Sequence, residues 1–307
     1  MFRSGHGENT AQSLSRGRRF TAMQRKLHPL EGIVAMGALV LVLFLSVGFA
    51  QAQDMRKIAL RSSSALVQDA ETGEIVFGKN AEAVVSIASI TKLMTAMVIL
   101  DAGLDLEEKL VLSREDAVGM KGSRSRLRTG LSMTRGDLLL LALMSSENRA
   151  AAALGQSYPG GLEAFVDAMN TKAAVLEMNE SRFVEPTGLS PANVSTAADL
   201  ARLVRAAHEY PLIREYSTKD RATIRASGRP LAYGNTNGLV RSKYWDIELS
   251  KTGYISEAGR CLVMHVRLAE KDLIVVLLDS WGKHSRIGDA NRIRKWLESG
   301  AAIGRSS

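Results

Sequence analysis

Nine residues, Lys92 to Leu100, read KLMTAMVIL and constrain the fold of this 307-residue chain more than any other stretch. Ile90, Leu93, Met94, Met97, Val98 and Leu100 recur with helical spacing, and Ala96 and Ile99 fill most of the remaining circumference. A helix that is apolar nearly all round has no solvent face, so it must be central, with other elements wrapped round it. Its mouth is polar: SIASITKLMT, Ser86 to Thr95, carries four hydroxyl side chains and one lysine. Ser89 and Lys92, spaced i, i+3, share one face, which puts the lysine nitrogen within reach of the serine hydroxyl. A serine is a poor nucleophile until a base removes its proton. Lysine is such a base only when neutral, and holding it neutral at pH 7 against an ordinary pKa near 10.4 costs roughly 4 to 5 kcal/mol. Burial, the positive end of the helix dipole and a second cation each lower that cost.

Around this helix the chain has an ordered plan. SALVQDAETGEIVFGKN, Ser64 to Asn80, reads as a hairpin turning at Glu71-Thr72-Gly73. Thr134 and Asp137 cap the helix DLLLLALM, and the polar break SSEN separates it from RAAAALGQ. GLEAFVDAMNTKAAVLEM and STAADLARLVRAAH read as further helices, the latter opening on Ser195 and Thr196. After the loop YGNTNGLV come three strands, DIELSKTGYI, CLVMHVRLA and DLIVVLLDS, with a turn at Glu270-Lys271-Asp272, and then a final helix through SRIGDANRIRKWLES. Strands at both ends and helices between predict an α+β fold: one antiparallel sheet of about five strands drawn from both chain ends, flanked by helices, with a helical insertion at about 110–235.

The Ser89/Lys92 spacing is not diagnostic alone, because Ser280 and Lys283 in SWGK repeat it. Company raises the first pair. SEN, Ser146 to Asn148, is the one S-x-N string and KTG, Lys251 to Gly253, the one K-T-G; both follow Ser89 in order and neither follows Ser280. SxxK, S-x-N and K-T-G in that order form the signature of penicillin-binding proteins and class A β-lactamases.

On these motifs, and on SIASITKLMTAMVILD, SSENRAA, EPTGLSPANVSTAADLARL, YGNTNGLV and LSKTGYISEAGRCLVM, the chain resembles the low-molecular-mass penicillin-binding proteins, serine peptidases acting on D-Ala peptides of bacterial cell walls. SSENRAA and KTGYISEAGRCLVM look closest to the D-alanyl-D-alanine endopeptidase group typified by penicillin-binding protein 7. The resemblance implies a DD-peptidase/β-lactamase-like fold, with Ser89 as nucleophile and Lys92 as general base. Ser146, bridging Lys92 and Lys251, is then the proton relay to the departing amine, and Asn148 holds a substrate backbone group. Lys251 supplies a fixed charge that lowers the Lys92 pKa and draws in a carboxylate, which Thr252 also binds. Gly253 lets the substrate backbone approach the strand, and the backbone N–H groups of Ser89 and Tyr254 form the oxyanion hole. The implied partners are peptidoglycan and, as covalent inhibitors, β-lactams.

Competing classes fare less well. A class A β-lactamase needs a Glu in an ExxLN string, which does not occur; Glu185, in FVEPTGL, reads as a loop residue. None of the histidines His6, His28, His208, His265 and His284 belongs to an HExxH motif or a close pair, so no metal or cofactor is expected. A D-alanyl-D-alanine carboxypeptidase is the nearer alternative. The 54 residues after Gly253 suffice for the sheet and last helix but not for a second β-domain, which favours the endopeptidase. A non-catalytic wall-binding module is a third reading, against which stands the complete motif set.

The N-terminal segment GIVAMGALVLVLFLSVGFA, Gly32 to Ala50, is uncharged, follows Arg25 and Lys26, and runs into Ala50-Gln51-Ala52. Residues 1–52 are therefore expected to be a signal peptide with a long n-region, translation starting at Met1 or at Met23, with Arg18-Arg19-Phe20 as a twin-arginine alternative. The expected product is an exported, periplasmic catalytic domain over 53–307, attached to the membrane only if that segment is retained. Residues 53–307 hold 34 basic and 30 acidic residues, so the net charge of +8 falls to +4, and no basic run interleaved with aromatics suits nucleic acid. Cys261, the single cysteine, excludes an internal disulfide and reads as a small buried strand residue.

Overall fold

The computed structural model describes residues 58–117, 125–226, 229–268 and 270–300; the expected signal segment lies outside them. The hairpin forms from β1 (Ser62–Asp69) and β2 (Ile75–Lys79). A two-residue strand β3 (Val85–Ser86) and a 3-10 turn (Ala88–Ile90) lead into the central helix α1 (Thr91–Asp101), which buries every residue from Thr91 to Ile99. A small ribbon, β4 (Lys109–Val111) with β5 (Ser132–Thr134), precedes α2 (Arg135–Met144), whose N-cap Thr134 accepts the Asp137 N–H at 3.1 Å. Then follow α3 (Asn148–Gln156), α4 (Gly161–Val175), β6 (Val194–Ser195), which pairs with β3, and α5 (Ala197–His208), capped by Thr196 through the Asp199 N–H. Ser195 does not share the cap; it belongs to β6.

A helix and a hairpin were not read from the sequence, nor were the short strands β3 to β6. PLIREYST forms the short helix α6 (Pro211–Thr218), started by a proline at its first position. A hairpin, β7 (Arg221–Ala226) with β8 (Arg229–Gly234), takes the first residues of what read as a loop, Tyr233 and Gly234. The meander is as expected: β9 (Asp246–Ile255), β10 (Gly259–Leu268) and β11 (Lys271–Ser280), followed by α7 (Ser285–Glu298).

Because β1 pairs antiparallel with β11, the two ends of the domain close one sheet in the order β2-β1-β11-β10-β9. Strand alternation then sorts the side chains into two layers. Leu66, Cys261, Val263, Ile274, Val276 and Leu278 join α1 to α5 in one core, while Val67, Leu262, Met264, Val275 and Leu277 face α7 in the other. Cys261 is fully buried, as its strand position requires. The edge strand β9 is left with one side unpaired by any strand, next to the 3-10 turn that carries Ser89. Among the described residues no helix is long and apolar enough to cross a membrane.

A buried carboxylate locks the closure. Asp289 of α7 is fully buried and accepts the Arg61 N–H at 3.0 Å, the Ser62 N–H at 2.7 Å and the Ser62 hydroxyl at 2.6 Å, with Arg292 as a further donor. Burial alone would raise its pKa; the Ser62 hydroxyl, the Arg61 N–H and Arg292 together hold it below the ordinary carboxylate value. Asp289→Ala strands these donors in the core and is expected to cost about 3 kcal/mol, read as a lower urea midpoint at neutral pH. Since the native pKa is depressed, this stabilisation is present above the unfolded pKa of roughly 3.9 and fades as pH falls through the native value. The gap between wild type and variant must therefore narrow in acid; an unchanged midpoint at pH 7 refutes the lock.

Candidate active site

Ser89 is not on the helix proper. It occupies the 3-10 turn in front of α1, and the preceding Ala88 adopts a left-handed φ of 47°. A non-glycine residue in that region costs on the order of 1 to 3 kcal/mol and persists only where its surroundings over-determine it. Here they do. Thr91 Oγ1 donates to the Ala88 carbonyl at 2.8 Å, and the Ile87 N–H donates to the Asn193 carbonyl. Two glycines clasp the turn from opposite sides. A Cβ on Gly188, itself at φ 78°, would lie 1.9 Å from the Ala88 oxygen, and one on Gly253 would lie 2.9 Å from the Ile87 oxygen and 3.2 Å from the Ser89 nitrogen. The space at Gly253 is thus taken by the chain's own nucleophile turn. This is a requirement for glycine beside the expected one of room for a bound backbone.

Lys92 reaches back from the first turn of α1 and is fully buried. Its Nζ donates to Ser89 Oγ at 2.9 Å, to Asn148 Oδ1 at 2.7 Å and to the Thr187 carbonyl. These are three acceptors for the three hydrogens of an ammonium. When the proton leaves, two N–H groups remain. Asn148 Oδ1 and the Thr187 carbonyl can only accept, so both hydrogens go to them, and the new lone pair faces Ser89, the one neighbour of the three with a hydrogen to give. Burial pushes Lys92 from an ordinary 10.5 to about 7, against the opposing charges of Glu185 and Glu147. That fall matches about 5 kcal/mol of differential cost between charged and neutral amine, the amount a base at pH 7 requires.

Lys251, on β9, is also buried and donates to Ser146 Oγ at 2.8 Å and to the Thr252 carbonyl at 3.1 Å. Ser146 sits between α2 and α3 at φ 58°, a second left-handed non-glycine residue at the site. No hydrogen bond joins Ser146 to Lys92, whose third partner is the Thr187 carbonyl instead, so the expected bridge between the two lysines is half made. The charge relation also differs from expectation. Burial, then the charges of Lys92 and Arg286, hold Lys251 well below the ordinary lysine value. The lowering of Lys92 comes from its own burial. Thr252 Oγ1 donates to Thr236 Oγ1 at 2.7 Å, and the Tyr254 ring is exposed, with the Arg260 guanidinium 4.5 Å from its centroid.

Sequence reasoning gave no role to the loop 184–193, though EPTGLSPAN was among the strings that stood out. Its Thr187 supplies the carbonyl for Lys92, and its Gly188 makes the close approach to Ala88. Glu185 holds the loop: its carboxylate accepts the N–H groups of Thr187 and Gly188 at 2.6 Å, of Ser190 at 3.3 Å, and the Asn193 amide at 2.8 Å. Three of these bonds fall on Oε1 and one on Oε2, so the carboxylate is engaged in holding the loop, as the loop reading of Glu185 expects. The Pro-Thr-Gly turn was the available signal. An open groove of about 440 Å³ begins at Thr187, walled by Ala152, Leu162, Pro186 and Leu189.

This geometry has known counterparts. Residues 49–282 match the D-alanyl-D-alanine carboxypeptidase family. The chain is 51% identical over 243 residues to a D-alanyl-D-alanine endopeptidase of Pseudomonas aeruginosa, covering 78% of each. It is 48% identical over 246 residues to a D-alanyl-D-alanine endopeptidase of Escherichia coli, covering 80% of this chain and 79% of that one. Its fold matches the crystal structure of the Streptomyces K15 DD-transpeptidase with a TM-score of 0.73 at 26% identity, over 78% of this chain and 98% of that one. A buried lysine aimed at a serine on this fold, together with these likenesses, places the chain in the D-alanyl-D-alanine carboxypeptidase family, as a serine DD-peptidase.

Proposed function

We propose that the protein is an exported, periplasmic DD-endopeptidase that opens D-Ala-containing peptide crosslinks of peptidoglycan through an acyl-enzyme, and that β-lactams acylate the same serine. The observation that carries the mechanism is Lys92 Nζ, buried and near neutrality at pH 7, 2.9 Å from Ser89 Oγ. The names of the two relatives at 51% and 48% identity favour cleavage within a crosslink over trimming of a terminal D-alanine.

Neutral Lys92 takes the Ser89 hydroxyl proton as Oγ attacks the carbonyl carbon of the D-alanine on the acyl side. The tetrahedral oxyanion is held by the N–H groups of Ser89 and Tyr254; one such donor is typically worth about 2.7 to 4 kcal/mol. The amine leaves with a proton passed through Ser146, which already accepts from Lys251. Water then hydrolyses the ester. A carboxylate beside the scissile nitrogen meets Lys251 and Thr252, and its charge favours the protonated form of Lys251. Asn148, held by Lys92 through its carbonyl, lines the substrate backbone, and the groove at Thr187 takes the peptide stem.

Two experiments test this. Purified protein is incubated separately with a crosslinked muropeptide dimer and a free pentapeptide. The dimer is expected to be split and Ser89→Ala to lose that activity by on the order of 10³-fold or more, together with covalent labelling by a fluorescent penicillin. Dimer cleavage surviving in Ser89→Ala rules out the mechanism, and turnover of the pentapeptide alone rules out the endopeptidase. Second, the rate of penicillin acylation must rise with pH through about 7, because the Lys92 base has to lose its proton first. A profile flat between pH 5.5 and 8.5, on the order of 1.5 units either side, excludes Lys92 as the base.

A further inference from the structure

At the Ile255 end of β9 the sheet carries a second concave surface, on the face opposite the nucleophile. A Cβ on Gly253 would meet the Ser89 turn, so Tyr254, one residue on, points the other way, to the α7 face on which Leu262 also lies. Its ladder partner there is Arg260, whose own partner on β11 is Ser280. With Trp281 and Lys283, in the connection from β11 to α7, these residues line an open cavity of about 230 Å³. Three aromatic side chains are exposed among the described residues, Tyr244, Tyr254 and Trp281, and two of them wall this one cavity. Exposed aromatics gathered at a concavity mark a binding surface, where the same residues scattered singly would need no explanation.

The charges in the cavity are left open. Arg260 is partly buried and steadied by Tyr254, its guanidinium 4.5 Å from the ring centroid, yet neither it nor Lys283 makes a hydrogen bond or ion pair with any described residue. The Asp279 carboxylate, which lines the same cavity, is equally unpaired. A bulge sets Asp279 there: Arg260 pairs with Ser280 and Leu262 with Leu277, so Leu278 and Asp279 together oppose Cys261. Asp279 stands at φ 46°, its carbonyl accepts the Ser63 hydroxyl at 3.1 Å, and a Cβ on Gly259 would come within 2.5 Å of its Oδ1. Left-handed backbone at a non-glycine residue is costly and gathers at ligand sites. Guanidinium donors answer a carboxylate, and a carboxylate answers an ammonium. A ligand with both charges on one carbon therefore satisfies the cations and Asp279 together. A simple anion would be opposed by Asp279, and a sugar ring would leave all three charges unused.

We propose that this cavity is a specificity subsite for a free α-amino acid end, an ammonium and a carboxylate on one carbon, carried by the substrate on a short aliphatic chain that packs between Tyr254 and Trp281. The inference rests on the endopeptidase reading above. There the carboxylate on the leaving side meets Lys251 and Thr252 and the oxyanion meets the Tyr254 N–H, so the stem on the acyl side runs on past Tyr254 along the open edge of β9. A chain laid along a strand edge turns its side chains alternately to the two faces, here the Ser89 turn and the cavity. In a stem crosslinked through diaminopimelate, the diaminopimelate before the acyl D-alanine keeps such an end unlinked. A crosslink has two stems, and the groove at Thr187 accounts for the other.

The test uses the full chain and three synthetic crosslinked dimers, alike except at the unlinked diaminopimelate end, which is free, amidated at its carboxylate or acetylated at its amine. Binding to Ser89→Ala, which cleaves none of them, is titrated by calorimetry, and cleavage is followed with the wild type. The free dimer is expected to bind on the order of 10-fold or more tightly than either blocked dimer, since each block removes one charge-assisted contact. Adding Arg260→Ala should bring the amidated dimer level with the free one. Asp279→Asn, which keeps the shape and tolerates left-handed backbone, should do the same for the acetylated dimer. Lys243→Ala, outside the cavity, should leave both ratios as they are. Each variant is also made with Ser89 intact, where penicillin labelling shows that it is folded. Equal affinity for the three dimers, as a sugar ring on the aromatic walls would give, or ratios that survive both cavity substitutions, overturn the subsite. Failure of the endopeptidase reading shows separately, as a free dimer that Ser89→Ala binds and the wild type leaves uncut.

Discussion

The Lys92 amine lies fully buried among Ser89 Oγ, Asn148 Oδ1 and the Thr187 carbonyl, and the elements around it are placed by what that amine requires. Taking an ammonium out of water costs several kcal/mol even after relaxation, and proteins usually answer with a carboxylate in contact. This one does not. Glu185 and Glu147 are near enough to oppose the fall in the Lys92 pKa, yet the Glu185 oxygens are turned to the backbone N–H groups of their own loop and Glu147 caps α3 through the Arg149 N–H. A contact ion pair would fix the proton on Lys92. Withholding it, while offering two neutral acceptors that hold the amine in either protonation state, keeps the lone pair available and aimed at Ser89.

The same economy shapes the backbone around the nucleophile. Ala88, beside the nucleophile, and Ser146, the relay itself, are both held at positive φ. The strain at Ala88 survives because three segments meet its turn: α1 through Thr91, the loop 184–193 through Gly188, and the edge strand β9 through Gly253. Neither glycine is interchangeable with alanine, since each Cβ would meet backbone atoms that cannot swing aside. The nucleophile is thus positioned by steric closure from both sides, and the central helix contributes the rigid floor on which that closure rests.

Much of this was legible in the sequence. The all-round apolar helix announced a central element, alternation gave the hairpin and the meander, and three motifs in order singled out Ser89, Ser146 and Lys251 where a lone serine-lysine spacing did not. What stayed hidden is what depends on approach between distant segments. The Thr187 carbonyl meets Lys92 across 95 residues, and no side-chain chemistry marks a backbone oxygen in advance. Gly253 read as room for a ligand, and its motif carries no sign that the chain's own turn also excludes a Cβ there. The α6 helix was too short for its periodicity to stand out, and the β7–β8 hairpin has neither steady alternation nor a long apolar run. His208 and Glu248 meet across 40 residues, and only a β-bulge in β9 gives the glutamate its face.

The charge distribution at the site carries the argument one step further. Lys92, Lys251 and Arg286 gather at the Ser89 end of β9, Arg286 donating to the Gly253 carbonyl at 2.7 Å and to the Cys261 carbonyl at 3.2 Å. Among the described residues none of the three is hydrogen-bonded to a carboxylate, and burial lowers the pKa of each. Such a cluster is destabilising on its own terms, because desolvated cations repel, and burial favours the neutral form of each lysine. An anionic ligand reverses the balance, because its charge stabilises the protonated form of whichever amine it touches. Lys251, on the edge strand and bonded to Ser146, is placed to be held protonated by such a ligand, while Lys92, with its acceptors already fixed behind Ser89, is placed to stay the base. Binding and catalysis are then coupled through one shared proton inventory, and two lysines that are alike in sequence acquire different tasks from their neighbours.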